Sequence, residues 1–522
     1  MKFSEKWLRE WVNPAMDTQA LAHRLTMIGH EVDEIERHGE GLDAVVVGEI
    51  IEVDRHPDAD RLSVCQVAAG DGETLEVVCG APNVRPGLKS PFAPVGARLP
   101  NGMKLRRAKI RGVQSNGMLC SAVELALGDE SDGIMELPDD APTGASLAGF
   151  LDLPDYSFDL DLTPNRGDCF SVLGIARDVA ALASTAMKAA DVEAVPASIT
   201  DAHPVELGHP AGCPRFGARV IRNIDMSAES PLWMKERLRR SGLRSIHPVV
   251  DVTNYVMIEL GQPLHAYDLA KLNGPIRPRL ASEGEKLKLL DDSEVLLKAN
   301  TLVISDDSGA IGMAGIMGGH STMVTDETVD VFFEAAFFSP EIMAGVARQY
   351  GMHTDASMRF ERGVDPVGQV RAIERATELL LEISGGDAGP MVDHHVDEFL
   401  PPQASMTLRE SRLKRILGAE IPVDRVTSIL TSLGLNGERT ADGWTVSIPS
   451  FRFDIDVEDS LVEEVARIYG YDEIPETTAT GDTPLASAPE TRIDLDRVAN
   501  TLVARDYQEI LTYSFIDEST NE

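Results

Sequence analysis

The spacing of apolar residues changes period several times along the chain. Residues 4–37 read as two helices. In "SEKWLREWV", Trp7, Leu8, Trp11 and Val12 share one face and Ser4 stands at the N-cap position. "DTQALAHRLTMIG" runs from a capping Asp17 to a terminating Gly29. The period then drops to two. "AVVVGEIIEV" and "LSVCQVAAGDGETLEVVCGAP" predict strands, the second folded back at a Gly70-Asp71-Gly72 turn. Short strands and glycines continue to about residue 148, the pattern of a small β-barrel. A connector over 150–205 carries one helix, "GDCFSVLGIARDVAALAS", with Asp168 or Asn165 as candidate caps. A mixed α/β region follows at 213–387, with strands "LVISDD" and "VDVFFEAAFF" and a glycine-rich turn, "GMAGIMGGH". Residues 401–476 hold two amphipathic helices closed by glycine, "RESRLKRILG" and "PVDRVTSILTSLG", then the strand "GWTVSIPS". From 487, "DLDRVANTLVARDYQEILTYSFID" opens a further unit that stops just after a strand-like piece, so the expectation is a domain cut short. No period of the length that marks repeat proteins is present.

One stretch departs from its pattern. "DVTNYVMIELGQPLHAYDL", 251–269, reads as buried and helical, yet it contains Asp251, Thr253, Asn254, Gln262 and His265. Polar groups are costly to bury without partners. From the residues alone two readings stand. Either these groups are satisfied within the core, with Thr253 and Asn254 as caps and "GMAGIMGG" a tight turn, or they line a site.

Composition narrows the function classes. The 522 residues, 43% hydrophobic and 25% charged, suit a soluble multidomain protein. The N-terminus lacks the apolar stretch of a signal peptide, and no run is long enough to span a membrane. Five cysteines, 65, 79, 120, 169 and 213, form no C-x-x-C pair; reduced thiols in a cytoplasmic protein are expected, and no zinc site. The net charge of −37 changes the picture most, because the chain as a whole should repel nucleic acid. Any RNA role must rest on a local basic patch or a partner; the acidity itself suits solubility or a salt-adapted host.

Such a patch exists. "NGMKLRRAKIRG" places Lys104, Arg106, Arg107, Lys109 and Arg111 within one short segment. It is either an exposed basic hairpin or a phosphate-binding face of the barrel. Around it, "HPDADRL" (56–62), "VVCGAPNV" (77–84) and "SNGMLCS" (115–121) resemble the tRNA-binding barrel attached to several synthetases, which implies contact with the tRNA backbone without sequence preference. "RFDIDVEDSLVEEVARIYGYDEIP" concentrates Asp454, Asp456, Glu458, Asp459, Glu463 and Glu464 at a helix start. The helix dipole favours acids there, and a hard cation would also want them.

Taken together, "KFSEKWLREWV", the barrel motifs, "DVTNYVMIELGQPLHAYDL", "GMAGIMGG", "DASMRFERGVDP" and "RFD…LVEEVARIYGYDEIP" resemble the β subunits of bacterial phenylalanyl-tRNA synthetases over essentially the whole chain. The resemblance implies a multidomain α+β chain. It would comprise an N-terminal helical segment (1–38), an OB-fold tRNA-binding barrel (39–148), a connector (149–212) and a mixed α/β B3/B4 editing domain (213–387). A small winged-helix-like B5 domain (401–476) and the start of a class II synthetase-like core (487–522) would follow. It implies a heterotetramer of two α and two β subunits. ATP-dependent aminoacylation would lie on α; β would supply tRNA binding, assembly and proofreading, with no DNA or membrane partner. In agreement, the chain has no G-x-x-x-x-G-K-[ST] loop. "MRFERG" superficially resembles a class II arginine motif, but it sits in the wrong domain and is read as coincidence.

The resemblance also implies two sites. Carboxylates matching Asp454, Ser460, Glu463 and Glu464 would bind a Mg²⁺ shared with α; Ser460 stands where a carboxylate is usual, so the site would be weaker unless Asp459 reaches in. The second site follows from chemistry. An apolar pocket built for phenylalanine rejects an isostere that adds a hydroxyl by only about 10²-fold, so a second, hydrolytic sieve for tyrosine is expected. Thr253, Asn254, His265 and Glu334 match residues lining that pocket, with Pro263, Ala314 and Gly315 beside them and Thr354 and Ala356 as small side chains keeping it open. Glu334 would accept the tyrosine hydroxyl. His265, with Asn254, would position water or ester, as base or as orienting group. The alternatives are a scaffold that binds tRNA without editing and a free-standing deacylase.

Overall fold

The computed structural model describes residues 1–522 except 71, 73, 129–130, 189–190, 479, 482–490, 492 and 522. The first helix, Glu5–Trp11, is capped as its sequence predicts: Ser4 Oγ accepts from Trp7 N, and the same hydroxyl donates to Asp155 at 2.5 Å. The second helix, Thr18–Met27, begins at a capping Asp17. The segment 1–38 is not only helical, however. Glu31–His38 is a strand that pairs with Asp155–Asp161, which in turn pairs with Lys2–Ser4. "EVDEIERH" hides this strand because its half-exposed, charged positions show no apolar face.

The barrel region is a five-stranded antiparallel sheet, ordered Thr74–Cys79, Ser63–Ala68, Val46–Arg55, Lys89–Pro94, Gly117–Leu119. The first two pair as a hairpin; Asp71 of its expected turn lies outside the described residues. The connector helix is Val172–Ala183. Its cap is Ser171, whose Oγ accepts from Gly174 N, and not Asp168 or Asn165; Asp168 instead sits in a preceding turn, bonded by Arg166.

The mixed region is built on a sheet ordered His265–Asp268, Val331–Phe337, Arg215–Arg222, Asp387–Ala388, to which Val392–His395 adds beyond residue 387. All seven residues of the Val331–Phe337 strand are buried. Successive side chains of a strand face opposite ways, so this strand needs cover on both faces. Val331 and Phe333 join Ala266 and Ile221 under the Pro248–Leu260 and Gln369–Ser384 helices; Phe332 and Ala336 join Phe216, Ala218 and Tyr267 in a second apolar layer.

Residues 405–469 form a three-stranded sheet, Ser405–Arg409, Gly443–Ser447 and Gly437–Arg439, with helices Glu410–Leu417, Val423–Ser432 and Glu458–Tyr469. The last helix is tied to the N-terminal layers through Asp178. This buried carboxylate accepts from His30 at 2.7 Å, Arg166 at 3.0 Å and Arg467 at 2.8 Å, and the guanidinium groups hold it well below the usual carboxylate range against its burial. Pro475–Glu522 is a separate unit whose described residues include the α-helix Leu495–Val503 and a 3-10 turn, Glu518–Thr520; the terminal strand-like piece pairs with nothing among the described residues and is irregular. A lone strand has no neighbour to take up its backbone hydrogen bonds. Among the described residues no helix is long and apolar enough to cross a membrane. The five cysteines are buried free thiols; burial pushes Cys65 and Cys120 up to about 12, so they are poor nucleophiles.

Removing one member of a buried ion cluster strands the others at a cost of about 3–5 kcal/mol. Asp178→Ala is therefore expected to lower the urea midpoint strongly, whereas Glu36→Ala, which breaks a half-exposed pair with Lys2, changes stability by less than about 1 kcal/mol. Equal effects of the two substitutions in parallel denaturation curves would refute this account of Asp178.

Candidate active site

The polar residues of 251–269 divide into two groups. Asp251 is fully satisfied: its carboxylate accepts from Ser230 Oγ and Ser245 Oγ, both at 2.5 Å, and from Ile246 N at 2.8 Å. Gln262 Nε2 donates to the carbonyls of buried Pro263 and of Ala336, and its Oε1 accepts from Gln369 at 3.0 Å. These two are structural: Asp251 ties down the segment before its own helix, and Gln262 fixes the turn that feeds the His265–Asp268 strand.

His265 is not satisfied. It lies directly opposite Glu334 in the strand register, so both side chains share one face of the sheet. Its Nε2 is enclosed and has no hydrogen-bond partner among the described residues. Burial lowers its proton affinity to about pKa 4, so the ring is neutral at pH 7. The ring lies against the backbone of Gly318: a Cβ there would sit 2.3 Å from Cε1 and 2.7 Å from Nε2. The glycine that abuts the histidine is thus Gly318. Gly315, at φ +64°, is instead required by the apolar core, since a Cβ would meet Phe360, Met343 and Phe338. Ala314 is buried in that same core. Thr354 does more than stay small. Its Oγ1 donates to Ile316 O at 3.0 Å and accepts from Ser357 N, tying the glycine turn to the Asp355–Arg362 helix. Ala356, half-buried, packs against the same layer.

Glu334 is a carboxylate in an apolar layer, 6% exposed. Its described side-chain partner is Tyr267, whose hydroxyl donates to Oε2 at 2.5 Å. Burial raises its pKa to about 7, with the Tyr267 hydrogen bond pulling the other way. Near neutral pH it is divided between acid and carboxylate. Thr253 Oγ1 donates to Val250 O within its own helix, and Asn254 is half-buried in mid-helix, so neither caps it; neither hydrogen-bonds His265 or Glu334. Their helix packs chiefly on the opposite sheet face.

Family models match three stretches of the chain. Residues 45–146 match a putative tRNA binding domain, 212–385 the B3/4 domain and 406–471 the tRNA synthetase B5 domain. The chain is 53% identical over 519 residues to a protein of Pseudomonas putida and 52% over 517 to one of Pseudoalteromonas translucida, each named phenylalanine–tRNA ligase beta subunit. Over nearly its whole length the chain is similar to phenylalanine–tRNA ligase beta subunits. The matches cover 99% of this chain, which spans 65% of the length of those relatives. A solved N-terminal fragment of the Pyrococcus horikoshii phenylalanyl-tRNA synthetase beta subunit covers 60% of the chain and 87% of the fragment at 15% identity and a TM-score of 0.32, too low to carry an argument.

The basic segment lies within the stretch that matches the putative tRNA binding domain. Lys104, Arg106, Arg107, Lys109 and Arg111 are all exposed and make no ion pair among the described residues. Lys109 and Arg111 lie on a hairpin, Ala108–Ile110 and Val113–Ser115, stapled down by His56, whose Nε2 donates to Ile110 O at 3.1 Å while Nδ1 accepts from Asp58 N. The motif residue His56 is a brace, then, and the cations are left without ion pairs among the described residues, although Arg111 Nη1 also donates to Asp58 O at 3.5 Å.

The expected Mg²⁺ ligands fit the ion poorly. Asp454 is bonded by Arg452 at 2.7 Å, and Glu464 by Arg452 and Arg467 at 2.8 and 2.6 Å. These arginines hold Glu464 well below the usual carboxylate range and already supply the positive charge a cation would bring. Ser460 Oγ donates to Asp454 O, Glu463 is exposed, and Asp459 turns to Arg412 instead of reaching in. The buried group His30, Cys169 and Asp178 is no better, because guanidinium groups occupy its acid. In "MRFERG", Arg359 donates to Phe170 O and Arg362 to Leu162 O, so both arginines are structural.

His265 should stay neutral from pH 8 to pH 5 and protonate near 4, measured by NMR of histidine labelled at Cε1. Gly318→Ala should push the ring outward and raise that midpoint toward 6.5. An unchanged midpoint would mean that Gly318 does not set the ring position.

Proposed function

We propose that this chain acts as the tRNA-binding and proofreading subunit of a phenylalanine–tRNA ligase, hydrolysing tRNA wrongly esterified with tyrosine. The α partner would carry ATP-dependent phenylalanylation in a heterotetramer, in the cytoplasm. The observation that carries the reading is Glu334, a lone buried carboxylate in an apolar layer, directly opposite a neutral His265 whose Nε2 lacks a partner.

The apolar surroundings accept an aromatic ring, and the carboxylate distinguishes its substituent. A tyrosyl hydroxyl gains a charge-assisted hydrogen bond; a phenylalanyl ring leaves a buried acceptor unpaired. That asymmetry is what an apolar synthetic pocket lacks. His265 Nε2 can accept a proton from water or hold the ester. At pKa about 4 it is a weak base, which favours orientation of water over full proton abstraction. Asn254 and Thr253 remain candidates for the ester end, with the tRNA ribose hydroxyl as a further donor. Pro263, Ala314, Gly315, Thr354 and Ala356 support the pocket through its backbone. A scaffold without editing is the second reading, and the unpaired Nε2 speaks against it.

Three measurements test this. With the full-length chain bound to its α partner, wild type should deacylate Tyr-tRNA faster than Phe-tRNA on the same phenylalanine tRNA. Glu334→Ala should lower that preference about 10- to 100-fold, the worth of a hydrogen bond to a charged group; a preference kept by Glu334→Ala sinks the assignment. The preference should also fall as pH drops from 8 to 6, because Glu334, raised to about 7, loses its charge over that window. Finally, Arg106→Glu/Arg107→Glu/Lys109→Glu should weaken tRNA binding and flatten its salt dependence by about one logarithmic slope unit per lost phosphate contact. An unchanged slope would place the RNA elsewhere.

A further inference from the structure

Tyr267 stands between the two groups on which the proposed hydrolysis depends. It lies two residues after His265 on the same strand and opposite Phe332, so it shares the sheet face of Glu334. Its ring meets the His265 imidazole edge-on, with centroids 4.4 Å apart at 83°. Its hydroxyl donates to Glu334 Oε2 at 2.5 Å, and the side chain is 1% exposed. This phenol therefore already makes the kind of bond that a tyrosyl ester would offer, and it occupies one of the two carboxylate oxygens. Oε1 is the oxygen left for a second phenol.

We propose that Tyr267 is a positioning residue for ester selection: it fixes the Glu334 carboxylate so that Oε1 faces the incoming ring, and it buttresses His265 alongside. The inference rests on the editing role proposed above. Two physical arguments support it. A carboxylate held by one short hydrogen bond loses rotamer freedom before substrate arrives, so less ordering is left to the binding step. The same bond favours the charged form of a group that burial would otherwise protonate, and an ionised acceptor binds a phenol about twice as strongly as a neutral one. The groups facing Glu334 are few. Tyr267 is itself held as a phenol far above its usual range, the His265 ring is neutral, and the nearby Cys213 thiol is pushed well up by burial and by the carboxylate. None of these carries a compensating positive charge, so the tyrosine hydroxyl is the group that keeps Glu334 usable near pH 7.

The test compares wild type, Tyr267→Phe and Glu334→Gln, each as the full-length chain in complex with its α partner. Two readouts are taken. Infrared difference titration follows the protonated carboxyl band that Glu334→Gln removes. Deacylation of Tyr-tRNA and Phe-tRNA is followed from pH 6 to 9, corrected for hydrolysis in buffer. In Tyr267→Phe the band midpoint should rise by about one to two pH units, the equivalent of a hydrogen bond to a charged group. The tyrosine preference should fall about tenfold at pH 7.5 and recover toward pH 9. A merely structural role would slow both esters together and leave the midpoint unmoved, and that result overturns the proposal. Selectivity kept in Tyr267→Phe overturns the role of Tyr267 while the editing role stands. No hydrolysis by wild type overturns the editing role and this one with it.

Discussion

Asp178 is a charge that the interior tolerates only because three cationic or hydrogen-bonding groups converge on it. His30 comes from the N-terminal segment, Arg166 from the turn before the connector helix, and Arg467 from the Glu458–Tyr469 helix. Arg467 also bonds Glu464, and Glu464 bonds Arg452 with its Asp454. Segments more than four hundred residues apart are thus committed to one position, because any absent partner leaves the remainder buried and unpaired. The Val172–Ala183 helix that carries Asp178 shares an apolar cluster with the Pro248–Leu260 helix, and that helix backs the sheet bearing Glu334 and His265. The candidate site inherits its rigidity from this arrangement.

The same network explains why an acidic helix need not mean a metal. Glu458 and Asp459 at its first turn bond Arg409 and Arg412, and Glu464 faces inward to two arginines. In a chain of net charge −37, arginine supplies the local balance. The barrel hairpin does the reverse: its cations are spared ion pairs among the described residues, so a field that is repulsive overall has an opening for phosphate.

Period and capping made most helices legible: Ser4, Asp17 and the terminating glycines act as their types suggest. The strand at Glu31–His38 escaped because neither of its faces is apolar, and its partner Asp155–Asp161 lay in a stretch read as a connector. Ser171 caps the connector helix from a position masked by two better-looking candidates. At the site, His265 was legible as a polar group in an apolar run, whereas Glu334 was reached only through the family resemblance. Gly318 was not separable from its neighbours in "GMAGIMGG", since which glycine meets the ring is decided by a strand pairing distant in sequence. Tyr267 was not singled out. A signal was available: two residues after His265, on a strand, it had to share that face.

The central strand has a consequence for how the chain reaches its native pairing. "VFFEAAF" is apolar on both sides, and such strands are prone to slip, because a shifted register buries nearly as much surface. A slip of one residue would turn Phe333 or Ala335 toward His265 and drive Glu334 into the helix layer, away from the tyrosine hydroxyl that receives it. That error buries a charge or must bind a proton, so at neutral pH it is disfavoured as soon as the helices dock over it. The carboxylate that sorts esters would also sort conformers, and a neutral replacement chosen to silence it would remove the guard against misaligned folding as well.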